Sequence, residues 1–162
     1  MVAADAESTW CREPQMMSET WPTTVDAARS GRTVADAMHR GLIHCTPETS
    51  LRAVAALMAG ERVHCIVVTE NPLAARSLWG VVSDLDLVAA ATVRSLDDQR
   101  AGGTAMKPAV TAVPHETLEE AARRMTEHGV SHLVVIDVVG QRPLGVLSAL
   151  DLADVLAERT GR

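Results

Sequence analysis

The sequence predicts an α+β fold made of two consecutive copies of one β-α-β-β-α unit, and three observations carry that prediction. An eight-residue phrase occurs twice, GVVSDLDL at 80–87 and GVLSALDL at 145–152. Other positions recur at a single offset: Pro47/Pro114, Leu51/Leu118, Val54/Ala121, Ala55/Ala122, Met58/Met125 and Val63/Val130 are each 67 residues apart. The repeated phrase itself stands at 65 (Gly80 to Gly145, Ser83 to Ser148, Asp86 to Asp151), two residues having left the loop before it. Self-similarity at a fixed offset marks an internal duplication. The third observation is compositional: 47% of the 162 residues are apolar, with three Trp and no Phe or Tyr. Any core must therefore be built from Val, Leu, Ala, Ile and Met, in one compact domain or two very small ones.

The elements follow in order. Residues 1–30 are rich in Ala, Ser, Thr, Glu and Pro and hold Trp10, Trp21 and a Met16-Met17 pair without a sustained period. They read as a tail or arm, either mobile or docked on the body or on a second subunit through the two indole rings. The first unit spans 31–93. It starts with a short helical turn over Thr33–Met38 that Gly41 ends, and a strand over Ile43–Cys45 follows. Pro47 then falls where a first helical position is expected, with Thr46 as its cap. Leu51, Val54, Ala55 and Met58 form one apolar helical face that stops near Gly60. Strands are expected over Cys65–Val68 and Leu78–Val82, with a loop at Asn71-Pro72 between them and a helix from Asp84 to about Val93.

The polar stretch 94–103 (RSLDDQRAGG) reads as a linker, and the second unit spans 104–160. Thr104–Met106 is its short turn, Val110–Ala112 its first strand, and Pro114 opens a helix with the face Leu118, Ala121, Ala122 and Met125. Strands at His132–Ile136 and Leu144–Leu147 and a helix from Ala149 to about Glu158 complete it. Glu119 with Arg123 and Glu120 with Arg124 have the i,i+4 spacing of helix-surface ion pairs, worth a few tenths of a kcal/mol each.

Several function classes are disfavoured. The formal net charge is −6, from 15 basic and 21 acidic residues, and no Lys/Arg block accompanies the scarce aromatics. A nucleic-acid surface needs a basic stripe and stacking rings. No apolar run approaches the ~20 residues of a spanning helix, and the N-terminus lacks the layout of a secretory signal. Three cysteines (Cys11, Cys45, Cys65) in no framework spacing fit reduced thiols in a cytoplasmic protein. No GxGxxG, P-loop, GxSxG or HExxH string is present, and nothing spaces a nucleophile with a base, so no enzyme is expected. His44-Cys45 and His64-Cys65 put soft ligands on neighbouring strands. Consecutive strand residues point to opposite faces, however, so all four cannot converge, and no metal site is expected. The thiols read as small buried apolar groups.

A duplicated β-α-β-β-α unit that closes on Gly-apolar-apolar-Ser-x-x-Asp-Leu resembles a tandem pair of CBS domains, the cystathionine β-synthase type. TVADAM and TAMKPAV resemble the family's leading turn, GVSHLVVID its second strand, and GVVSDLDL and GVLSALDL its third strand and final helix. The likeness covers 33–158. It implies two units related by a pseudo-twofold axis, their sheets packed together, with two clefts between them. In the family such clefts hold adenosine compounds: AMP, ADP, ATP, NAD or S-adenosylmethionine. It also implies a regulatory rather than catalytic role, in a protein that homodimerises and acts on an effector that the sequence does not name.

Ser83-x-x-Asp86 and Ser148-x-x-Asp151 each have the spacing of a capping box, in which a serine accepts a backbone N–H and the acid reaches back. The same arrangement offers a hydroxyl and a positive helix end to a phosphate, and a carboxylate to ribose hydroxyls. Capping alone and ligand binding both remain readings of these residues. Family relatives often carry Arg or Lys inside this motif, where this chain has Asp84-Leu85 and Ala149-Leu150. Asp84 would repel a polyphosphate, which makes Ser148 and Asp151 the less compromised pair. By the same resemblance, the phosphate-side positions fall on His64 and His132, the base side on His44 and Thr111, and the apolar walls on Val63 and Val130. Imidazoles are weak anion anchors at neutral pH. A nucleoside, a monophosphate or an uncharged adenosyl group therefore fits better than a triphosphate.

Overall fold

The computed structural model describes residues 31–71, 78–139 and 142–157, so the arm expected over 1–30, with Trp10 and Trp21, lies outside the described residues. The order is α1 (Val34–Ala37), β1 (His39–Arg40), β2 (His44–Cys45), α2 (Leu51–Glu61), β3 (Cys65–Thr69), β4 (Leu78–Ser83) and α3 (Asp84–Ala91). A 3-10 turn (Leu96–Asp98) leads to α4 (Ala101–Thr104), β5 (Thr111–Ala112), α5 (Leu118–His128), β6 (His132–Ile136), β7 (Pro143–Ser148) and α6 (Ala149–Ala157). The fold is α+β, and each copy contains the expected β-α-β-β-α order.

Local chemistry sets the helix starts, and it corrects two of them. Neither Pro47 nor Pro114 opens a helix. Ser50 caps α2 by accepting from Ala53 N–H (3.3 Å), and Thr117 caps α5 in a full capping box with Glu120. The two prolines sit in turns just upstream, and their carbonyls accept from the other unit: Gly102 N–H donates to Pro47 (2.8 Å) and Ala35 N–H to Pro114 (2.9 Å). The expected pairs on α5 also differ. Arg123 pairs with Glu127 (2.7 Å), and Arg124 reaches back to the buried Glu116 (2.7 Å) and the Thr111 carbonyl instead of Glu120, whose carboxylate is committed to the cap.

Both middle strands are buried on both faces, which is why they read as unbroken apolar runs. Ile66 and Val68 of β3 face the helices of the first unit, with Leu51, Val54 and Met58 of α2. Leu133 and Val135 of β6 do the same in the second unit with Leu118, Ala121 and Met125. The alternate residues Cys65 and Val67 of β3 meet Val134 of β6 and Val81 of β4 in a third cluster, where the two sheets pack together. Among the described residues one sheet has the order β2-β3-β4 and the other β1-β7-β6-β5. Each copy carries a register irregularity at matching places, Val68/Thr69 and Val135/Ile136.

The leading segments cross over. Val34 of α1 is buried in the second unit's core, and β1 pairs antiparallel with β7. Reciprocally, Ala101 and Ala105 pack in the first unit's core, and Met106 bridges to Val81. The stretch expected as a Gly-Gly linker is thus partly helix. Gly102 lies buried against Pro47, where a Cβ would come within 2.7 Å of the proline Cβ.

Two stability predictions follow. Arg62 ends α2 at φ 55°, where its counterpart 67 residues on is Gly129, at φ 63°. A side chain in this left-handed region costs about 1–2 kcal/mol. Arg62→Gly should therefore raise stability by about 1 kcal/mol in urea denaturation. A Cβ on Gly80 would lie 2.6 Å from the Met106 carbonyl oxygen and 3.0 Å from Ala105 Cβ. Gly80→Ala must displace the crossed-over segment, and its urea midpoint should fall by an amount equivalent to about 1–3 kcal/mol.

Candidate ligand cleft between the two units

The turn from β4 into α3 is a closed capping box. Ser83 N–H and Oγ–H both donate to Asp86 Oδ2 (2.8 and 2.7 Å), and Asp86 N–H donates back to Ser83 Oγ (3.2 Å). The turn from β7 into α6 repeats it: Ser148 N–H and Oγ–H donate to Asp151 Oδ2 (both 2.7 Å), and Asp151 N–H returns to Ser148 Oγ (3.2 Å). The capping reading is therefore correct for both copies. What separates them is the second carboxylate oxygen. Asp151 Oδ1 lies 2.8 Å from His39 Nε2, an ion-pair contact, and the residue is only 8% exposed. Asp86 is half-buried, and its Oδ1 has no hydrogen-bond partner among the described residues.

Ser83 and Asp86 floor a cleft of about 130 Å³. Its walls come from Val81, Leu85 and Met106 on one side, and from Ala109, Val110 and the Gly129–His132 turn on the other. An outer groove of about 490 Å³ shares Met106, Ala109 and Val110 with it and adds Lys107, Pro108, Thr111, Arg124 and His128. Lys107 Nζ lies 4.3 Å from the centre of the Trp79 ring, and the Trp79 indole donates to the Gly102 carbonyl (3.2 Å).

The site residues expected from sequence thus separate. Ser83, Asp86, His132 and Val130 come together in one cleft, with Thr111 in the adjoining groove. His64 is exposed and hydrogen-bonded through Nδ1 to Asp84 Oδ2 (2.9 Å). His44 is exposed on β2, and Val63 packs partly buried against the first core. Ser148 and Asp151, expected to be the less compromised pair, form a turn whose carboxylate holds the cap through Oδ2 and touches His39 through Oδ1. Two residues that sequence reasoning passed over, His39 and Met106, stand at these two turns. The signal was available, since they too are 67 apart.

The cleft's electrostatics are acidic. The hydrogen bond from His64 holds the Asp84 carboxyl below the usual carboxylate range. Burial pushes the His132 imidazole down and outweighs the opposing charges of Asp84, Asp151 and Asp86. Cys65, between the sheets, is pushed up to about 12, first by burial and then by the Asp84 and Asp151 charges. It is an unreactive thiol at neutral pH.

The CBS domain profile matches this sequence twice, over residues 34–92 and 103–158. The chain belongs to the CBS domain family. Among solved structures, a CBS domain protein from Pyrobaculum aerophilum complexed with AMP is 28% identical, with a TM-score of 0.67 over 78% of this chain and 97% of that one. A protein with CBS domains from Burkholderia ambifaria is 23% identical, with a TM-score of 0.70 over 81% and 98%. A CBS domain pair solved with 5′-methylthioadenosine and S-adenosylmethionine shares the fold at 16% identity, with a TM-score of 0.71 over 80% and 98%. No curated protein matches the sequence. Among the described residues of this CBS pair, no helix is long and apolar enough to cross a membrane.

The depressed basicity of His132 has a pH consequence. The folded state takes up its proton less readily than the unfolded chain, whose ordinary value is 6.5. The associated stability is therefore full above that value and is lost as pH falls from it towards the lower folded value. His132→Asn should reduce the loss of urea stability seen as pH is lowered through this window, measured against the wild type at each pH.

Proposed function

We propose that this CBS pair is a regulatory, non-catalytic module that takes an adenosine-type compound into the cleft above Ser83 and Asp86. The observation that carries the reading is the open Oδ1 of Asp86. A carboxylate that lines an inter-unit cleft, with only one of its oxygens fixed by the cap, is suited to accept from ribose hydroxyls. Relatives of the same fold solved with AMP, and with 5′-methylthioadenosine and S-adenosylmethionine, support the ligand class. Asp84 and Asp86 beside a His132 that burial keeps neutral disfavour a polyphosphate, so AMP or an adenosyl thioether or sulfonium fits better than ATP or ADP.

The output would pass through a second copy of the chain. Leu85 (73% exposed) and Val88 (63%) on α3, with Leu150 (62%) on α6, leave apolar side chains uncovered. Leu85 also walls the cleft. An occupied cleft would thus act on a residue of the uncovered surface, and binding would favour one dimer arrangement over another.

One observation favours a second reading, a dimerisation or protein-interaction module without a ligand. The inner cleft, at about 130 Å³, is below the roughly 300 Å³ typical of ligand pockets, and Val81, Leu85, Val110 and Val130 close around it. A thermal-shift panel of adenosine, AMP, ADP, ATP, NAD, 5′-methylthioadenosine and S-adenosylmethionine separates the two. At 100 times Kd, binding should add about 2.7 kcal/mol. Asp86→Ala should abolish the shift while costing about 1 kcal/mol as a lost cap. An unmoved midpoint with every compound would leave the interaction module as the answer.

A further inference from the structure

We infer that the outer groove of the second unit binds a small organic anion, with Arg124 and Lys107 holding a carboxylate or phosphate head and Met106, Pro108 and Val110 its apolar body. The inference does not rest on the adenosine-type reading above, because neither cationic side chain lines the inner cleft.

Arg124 is fixed from one end and leaves one edge to spare. Its Nη1–H groups donate to Glu116 Oε2 (3.1 Å) and to the Thr111 carbonyl, and its Nη2 lies 2.7 Å from Glu116 Oε1. Glu116 is buried and is itself held by Val113 N–H (3.3 Å). The Arg124 Nε–H has no partner among the described residues, and the side chain is 36% exposed. Nε–H and the Nη2–H beside it form the edge that takes an oxyanion through two parallel hydrogen bonds. The Glu116 carboxylate offsets the guanidinium charge, so the groove's net positive charge comes from Lys107. Its ammonium stands 4.3 Å over the Trp79 ring and meets no carboxylate within ion-pair distance among the described residues. His128, one helical turn beyond Arg124, lines the same groove, and no described acid does.

The repeat indicates that folding does not require this arrangement. At the 67-residue offset, Arg124, Glu116 and His128 correspond to Leu57, Thr49 and Glu61. Helix α2 has the same eleven-residue length as α5, with Leu57 packed against the first core where α5 carries the guanidinium. A buried ion pair is a weak source of stability, because desolvation offsets the attraction. A guanidinium held rigid by a second carboxylate is, however, what a preorganised anion site needs. Size and lining agree. The groove, about 490 Å³, lies within the roughly 300–1,000 Å³ of small-molecule sites. Its apolar wall includes Met106, which is 43% exposed. A bare inorganic ion would leave that wall wet, so the ligand class is an oxyanion on an apolar body.

Nuclear magnetic resonance titration of the nitrogen-labelled full chain with acetate, inorganic phosphate, hexanoate and hexyl phosphate tests the assignment. Hexanoate or hexyl phosphate should bind more tightly than the corresponding bare ion and move the Arg124 Nε–H resonance. The tighter of the two identifies the head group. Glu116→Thr combined with Arg124→Leu copies the first unit's pair and strands no buried charge. It should weaken binding by roughly tenfold or more. Lys107→Ala, at an exposed position, should also weaken it, and decides the matter if the double variant does not fold. An Arg124 Nε–H unmoved by every probe, undiminished binding in the folded variants, or tailed probes no tighter than bare ions overturn the assignment. Shifts centred on Ser83 and Asp86 instead would put the anion in the inner cleft and overturn it too. The adenosine panel is read separately, so either reading can fail without the other.

Discussion

Everything distinctive in this molecule depends on the exchange of leading segments between its two halves. A half-unit of three short strands and two helices has little core of its own, and small domains bury too small a fraction of their surface to be secure. Here each half completes the other: Val34 fills the second core, while Ala101 and Ala105 fill the first. The backbone hydrogen bonds of these segments are satisfied across the exchange as well, Val34 N–H on the Glu116 carbonyl (2.8 Å) and Ala101 N–H on the Thr49 carbonyl (2.9 Å). The two units are therefore tied at the packed sheets and again at both leading turns.

The cleft is a by-product of that arrangement. Once two sheets pack through Cys65, Val67, Val81 and Val134, the strand-to-helix turn at Ser83 lines the space left between the units. Each turn needs an acid to close its cap, so a carboxylate is present at the seam for reasons of helix stability alone. A cap consumes one oxygen and leaves the other free. The exchanged segments bring different neighbours to the two turns, His39 to Asp151 and Met106 to the cleft that Asp86 lines. The binding proposed above would thus be superimposed on a structural device that the fold requires anyway, and the neighbouring Asp84 with a His132 of lowered basicity gives the seam its acidic character.

Much of this was legible in the sequence. The 67- and 65-residue offsets gave the duplication, the apolar positions of α2 and α5 gave their buried faces, and Ser83/Asp86 and Ser148/Asp151 were readable as caps because capping is local. The errors were also physical. Proline at a helix start is a good first guess, but here Pro47 and Pro114 were needed as carbonyl acceptors for the other unit, and a serine and a threonine three residues downstream took over as caps. The i,i+4 spacing of Glu120 and Arg124 was real, yet a buried Glu116 and a strand carbonyl made the stronger claim on that guanidinium.

The sequence by itself determined the repeated unit, the strands buried on both faces and the two capped turns, because propensity, periodicity and capping act over a few residues. The tertiary structure alone decided which half each leading turn joins, and hence that His39 meets Asp151 while Met106 meets the Asp86 cleft. Those partners are more than a hundred residues apart in one case and twenty in the other. No local rule relates them. Only the crossing of segments between two packed sheets brings an imidazole to one carboxylate and a thioether to the other.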